Sequence, residues 1–232
     1  MDHETIRYSF SLPDGSIEIF DFHLDSEQLV QVGDPTREFP AWTALEFHKC
    51  PNCPLSNETH PFCPLATSIA PIVNRFDGIL SYEEVLVGVD TRERQVLQKT
   101  SAQRAVGSLM GLVISTSGCP RTAFLRPMAR FHLPLASREE TVFRATGAYL
   151  LAQFFRATEG KGGALELEGL QKLYRELQIV NAAIVRRLRS ATGTDSSVNA
   201  MVVLDIYAKT LDMVIYESLD RLRSLFDPYF SE

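Results

Sequence analysis

Apolar and polar positions alternate with a period of two through residues 5–24. Ile6, Tyr8, Phe10 and Leu12 form one face, Pro13-Asp14-Gly15-Ser16 supplies a turn, and Ile17 and Ile19 resume the alternation. The apolar phase then moves to Phe20, Phe22 and Leu24, which predicts a bulge or bend near Phe20. A second hairpin is predicted where Val85, Val87 and Val89 alternate, Asp90 to Glu93 turns, and Val96 and Leu97 return. Between the hairpins, Asp34-Pro35 and Phe39-Pro40 bound a loop. A short helix over 67–77 is expected there too, capped by Thr67 or Ser68, with Pro71 in its first turn and Gly78 at its end.

From residue 100 the period becomes helical. Thr100 and Gln103 have capping-box spacing before Val106, Leu109, Met110, Val113 and Ile114, and Gly118 falls where a left-handed cap belongs. A short helix around 121–130 contains Pro127, and Ser137 with Glu140 is a second capping-box pair opening a helix to Ala157. Leu170, Leu173, Leu177, Val180, Ile184 and Leu188 repeat at spacings of three and four. The last helix, capped by Asp195 or Ser196, is apolar nearly all round from Val198 to Tyr207 and continues through Ile215, Leu222 and Leu225. Such a helix is central to a bundle or part of a subunit interface.

These elements predict an α+β fold, a small antiparallel β-sheet of two hairpins packed on a C-terminal α-helical bundle. Residues 1–100 form a β-rich subdomain with a cysteine loop and residues 101–232 an α-helical subdomain, the two integrated into one domain. A chain of 232 residues, 45% hydrophobic and 22% charged, has enough apolar material for a real core. The net charge of −6 disfavours nucleic acid and anionic membranes as partners. Arg121, Arg126 and Arg130, with Arg138 and Arg144 beyond them and Phe124 and Phe131 interleaved, form a candidate anion- or partner-docking patch. The opposing reading is that these arginines meet some of the 29 acidic residues. Arg186, Arg187 and Arg189 fall near a helix C-terminus, where cations complement the macrodipole. The acidic N-terminus carries no signal-peptide pattern and no apolar run reaches membrane-spanning length, so a cytoplasmic location is expected.

All four cysteines precede proline: Cys50-Pro51, Cys53-Pro54, Cys63-Pro64 and Cys119-Pro120. Two residues separate Cys50 from Cys53, the spacing with which a tight turn presents two sulfurs to one ion. In a reducing compartment the set Cys50, Cys53, Cys63 and Cys119 suggests a four-thiolate site. An iron–sulfur cluster tolerates the distant fourth ligand. Tetrathiolate Zn²⁺ is the second option, and four buried thiols acting as small hydrophobes the third. His48, His60 and His132 are candidate groups around the ligands.

On this reading the chain is a cluster-bearing sensor or regulatory partner, homodimeric through its last two helices or bound to another protein. A scaffold with structural zinc and a redox enzyme using the cluster are the alternatives. The run from Cys50 to Pro64, taken with Gly118-Cys119-Pro120-Arg121 and Arg126-Pro127-Met128-Ala129-Arg130-Phe131-His132-Leu133-Pro134, resembles uncharacterised bacterial domain proteins of unknown function. That resemblance implies no activity.

Overall fold

Alternation places one face of each strand inward, and the aromatic residues on that face decide how the sheet packs. In the computed structural model, which describes residues 3–32, 38–76, 79–191 and 195–230, there are four strands. They are β1 (His3–Ser11), β2 (Ile17–Asp25), β3 (Glu84–Asp90) and β4 (Gln95–Ser101), paired antiparallel in the order β2-β1-β3-β4. Ile6, Tyr8 and Phe10 of β1, Phe20, Phe22 and Leu24 of β2, and Val85, Val87 and Val89 of β3 are all buried. Pairing of β1 with β2 runs from His3↔Asp25 to Ser11↔Ile17 with no residue skipped. The bulge expected near Phe20 is therefore absent from this ladder. The change of apolar phase has a simpler cause, because Ile17 and Ile19 lie on the outer face, 63% and 45% exposed, while Phe20 begins the inner set.

The first helix, α1 (Pro64–Arg75), starts three residues before the predicted boundary. Cys63 is its N-cap residue and Pro64 occupies the first turn, where a missing N–H leaves nothing unsatisfied. Thr67 and Ser68, expected as caps, instead donate their hydroxyls back to the Pro64 carbonyl, and Pro71 lies inside the helix. Gly78 and Asp34-Pro35 lie outside the described residues. Phe76, just past α1, meets Phe10 and Phe20 at ring separations of 4.9 and 5.6 Å, fixing the helix against β1 and β2.

The central helix, α2 (Ala102–Thr116), follows β4 directly. Its N-cap is Ser101, and neither Ser101 nor the anticipated Thr100–Gln103 pair forms a capping box there. Gly118, at φ +80°, takes the left-handed conformation predicted for it. α2 contacts α1, β3 and β4 in one direction and α6 (Asp195–Leu222) in the other, so it divides the sheet layer from the bundle. A 3₁₀ turn at Ala123–Leu125 leads into α3 (Arg126–Arg130), then α4 (Arg138–Thr158) and α5 (Glu168–Ala191). The Ser137–Glu140 capping box forms as read: the Glu140 N–H donates to Ser137 Oγ at 3.2 Å, and the Ser137 N–H donates to Glu140 Oε2 at 2.7 Å.

Of the α5 stripe, Leu170, Leu177, Val180, Ile184 and Leu188 are buried. α6 packs against α2, α4 and α5. It ends at Leu222, and a 3₁₀ segment, Arg223–Tyr229, leaves Leu225 exposed where the helical stripe had been extended. One cluster of buried residues runs from Ile6 to Ile215 across sheet and bundle. Among the described residues, no helix is long and apolar enough to cross a membrane.

Ser137→Ala removes the acceptor that holds the first turn of α4. It is expected to lower unfolding free energy by about 1 kcal/mol, read as a reduced urea midpoint with an unchanged m-value.

Candidate functional site

The face of α2 turned away from its large apolar residues carries small ones. Gly107, Gly111 and Ser115 recur every four residues, with Ser108 beside them, and all four line a cavity of about 200 Å³. A Cβ built on Gly107 or Gly111 would meet nothing within 4 Å, so these glycines leave space that no neighbouring side chain fills. The opposite walls come from Leu125, Met128 and Ala129 of the α3 region, Tyr174, Leu177 and Asn181 of α5, and Leu204 and Ala208 of α6. Arg104, His132, Thr141 and Arg144 complete the polar part of the wall, which among the described residues contains no aspartate or glutamate.

A hydrogen-bonded chain fixes one side of this cavity. The Leu135 N–H donates to Ser108 Oγ at 2.9 Å, and Ser108 Oγ lies 2.9 Å from Tyr8 Oη. Tyr8 Oη is in turn 2.5 Å from His132 Nε2. Burial, with Arg144 nearby adding to the effect, pushes His132 down to about 3, so the imidazole bonded to the tyrosine is neutral at ordinary pH. Burial also raises the Tyr8 and Tyr174 phenols, keeping both protonated. Arg144 donates through Nη2 to the carbonyls of Met128 and Phe131 at 2.6 and 2.8 Å, while burial lowers its pKa. Arg104 donates to the Leu135 carbonyl. Asn181 is buried, and its Oδ1 has no hydrogen-bond partner. His132, expected beside the cysteines, thus belongs to the wall of a different cavity.

The cysteines line a second and much smaller space, of about 20 Å³, walled also by Leu55, Leu65, Arg121, Val180 and Ile184. By size it has room for about one water. Among the described residues, no group of three or more histidine, cysteine, aspartate or glutamate side chains is arranged to hold a metal ion. This overturns the reading of the chain as an iron–sulfur sensor, and with it the zinc-scaffold and electron-transfer alternatives. Burial, then the neighbouring thiols, pushes Cys50 up to about 12, and burial also raises Cys119. The protonated thiol is the favoured form of both, and all four cysteines pack on the hydrophobic core.

The repeated Cys-Pro has a backbone explanation at three of its four occurrences. The Cys53 N–H bonds the Cys50 carbonyl and the Thr122 N–H bonds the Cys119 carbonyl, each closing a turn with proline at its second position. Pro64 starts α1. His48 is within hydrogen-bond range of Ser190 Oγ at 3.2 Å, and His60 of Thr59 Oγ1 at 2.9 Å.

The arginine patch is largely committed to internal partners. Arg121 donates to the Asn52 carbonyl at 2.6 Å and lies 3.6 Å from Glu176, while Arg130 pairs with Glu4 at 3.1 Å and Glu93 at 3.6 Å. Arg126 has a buried Nε with no partner. Arg187 plays a part that its position near a helix end did not announce. It is 1% exposed and donates to the carbonyls of Trp42, Ala44 and Leu45 at 2.7–2.8 Å, tying α5 to the loop that carries three of the cysteines.

The family model for DUF6901, a domain of unknown function, matches residues 6–227, and the chain belongs to this family. No curated protein and no solved structure matches it.

Arg187→Leu strands three carbonyls in the interior and is expected to cost about 3 kcal/mol in urea unfolding, with Arg187→Lys intermediate. For His132 the folded state resists protonation between its ordinary value of 6.5 and about 3, so the unfolded chain binds more protons in that window. Stability therefore falls as pH drops below 6.5. A pH series of melting temperatures should show that fall, flattened in His132→Gln. Because burial raises Cys50, iodoacetamide at pH 8 should label it far more slowly in native than in urea-unfolded protein, as followed by peptide mass spectrometry.

Proposed function

We propose that this DUF6901 member binds a small molecule with an apolar body and an anionic end in the cavity between α2, α3, α5 and α6. The carrying observation is the hollow of about 200 Å³ itself, open on one side and floored by Gly107 and Gly111 of α2. Protein interiors are close-packed, and a hollow of this size, open on one side and mostly apolar inside, is the kind of space in which small ligands are held. A Cβ at either glycine position would meet nothing within 4 Å among the described residues, so the two glycines leave this face of α2 bare. For scale, an apolar cavity of about 150 Å³ accepts benzene.

Charge selects the other end of the ligand. Arg104 and Arg144 contribute to the wall while no acidic side chain among the described residues does, in a chain whose overall charge is −6. Glu140, outside the wall, is close enough for both arginines to hold its carboxyl down, after the larger effect of its bonds to Ser137. A carboxylate entering the cavity would share that field. Asn181 adds an amide inside the apolar surroundings, suited to orienting a polar group.

Calorimetric titration with benzoate and hexanoate, set against benzyl alcohol and hexanol, tests both halves of the reading. The acids should bind and the alcohols bind at least tenfold more weakly. Gly111→Leu should raise the melting temperature while abolishing binding. Failure of all four compounds together with a lowered melting temperature in Gly111→Leu would refute the cavity reading, and equal binding of acids and alcohols would refute the charge selection.

A further inference from the structure

The second half of α4 meets the core only along one side, through the partly buried Tyr149 and Leu150. The helix's three buried residues, Val142, Ala145 and Thr146, all lie in the first half, and from Gly147 to Thr158 none is buried. That exposed half is nevertheless rich in large apolar side chains: Leu151, Phe154 and Phe155 are each more than half exposed, as is Phe143 one turn before Gly147. At 100° per residue, positions 143, 147, 151 and 154 fall within an arc of about 80°, so they make one stripe.

The C-terminal 3₁₀ segment extends the stripe sideways. Phe226 lies 6.5 Å from Phe143 and 6.2 Å from Tyr229 between ring centroids. Leu225, Tyr229 and Phe230 are 62–84% exposed. Taking about 200 Å² for each large side chain, the patch exposes on the order of 900 Å². That exceeds the few hundred Å² usual for the largest patch of a monomer and matches the roughly 800 Å² each partner contributes to a stable pair.

The occupant is indicated by the shape of the stripe. Gly147 is exposed, and a Cβ there would meet nothing within 4 Å, so the stripe carries a notch. Phe154, seven residues on, is a projecting ring about 10 Å along the same face. We propose that this face pairs with a second copy of itself, α4 crossing α4 antiparallel about a twofold axis, with Phe154 of each copy seated at Gly147 of the other. A twofold axis makes that contact twice, as an isologous interface requires. The cations beside the patch have partners already: Arg156 donates to the carbonyls of Gly162 and Lys161, and Lys161 pairs with Glu159 at 2.6 Å. The carbonyls leave the charge of Arg156 in place, while that of Lys161 is offset by Glu159.

Sedimentation velocity on the full chain over a concentration series tests the pairing. The expected result is a species of twice 26.0 kDa. Phe154→Ala and Gly147→Leu should each weaken the dimer about tenfold or more. Gly147→Leu fills the notch while replacing glycine by a strong helix former, so its circular dichroism and melting temperature should hold or rise as the dimer is lost. A monomer at every concentration would overturn the proposal, and so would a dimer indifferent to both substitutions. Monomeric protein that co-sediments with vesicles of phosphatidylcholine and phosphatidylglycerol would reassign the face to a membrane.

Discussion

Arg187 is the interaction on which the arrangement of the middle of this molecule rests. The segment before α1 has little regular structure beyond a 3₁₀ turn at Ala41–Thr43, yet Thr43 and Leu45 are buried. Buried backbone carbonyls need donors, and a loop cannot supply them from a ladder of its own. The guanidinium answers three of them from α5, a helix whose other inward residues are apolar but for Asn181 and the phenol of Tyr174. Its delocalised charge and rigid fork suit it to several acceptors at once, where lysine would offer a single point. Through this contact the cysteine loop, α1 and α5 hold a common position, and the thiols come to lie against Val180 and Ile184.

The two cavities illustrate opposite uses of packing. Around the thiols, small sulfur groups fill nearly all the available volume. Around Gly107 and Gly111 the helix backbone is bare, and neighbouring elements stop short of it. The polar chain Leu135–Ser108–Tyr8–His132 runs along the second cavity and fastens β1 to the segment after α3. Both the sheet and the bundle thus help define that space, with α2 between them.

The sequence disclosed those features that rest on local periodicity. Both hairpins, the Ser137–Glu140 box, the α5 stripe and the left-handed Gly118 follow from spacing alone. What escaped depends on tertiary placement. Ile17 and Ile19 continued the alternation, but hydrophobicity carries no label for which side of a sheet is covered. Arg187 looked like a charge near a helix end because only the fold brings three carbonyls to it. The cysteines looked like ligands because Cys-Pro repeats, while turn and helix starts account for most of that repetition. Two signals for the larger cavity were nevertheless present: small residues at 107, 111 and 115 opposite the apolar face of α2, and Asn181 interrupting the α5 stripe one turn after Leu177.

The strand order β2-β1-β3-β4 also governs how the fold can be reached. Each hairpin joins neighbours in sequence, and such local pairs form within microseconds. The ladder between them, from Arg7↔Asp90 to Ser11↔Leu86, joins strands more than seventy residues apart. Closing that interval carries an entropic cost before any long-range contact compensates it. The intervening chain contains the loop fastened by Arg187 and the helix whose end, at Phe76, sits on Phe10 and Phe20. The centre of the sheet is consequently its least local ladder, and the helix between the hairpins, seated through Phe76 on Phe10 and Phe20, packs on the two strands of the first hairpin that this ladder extends.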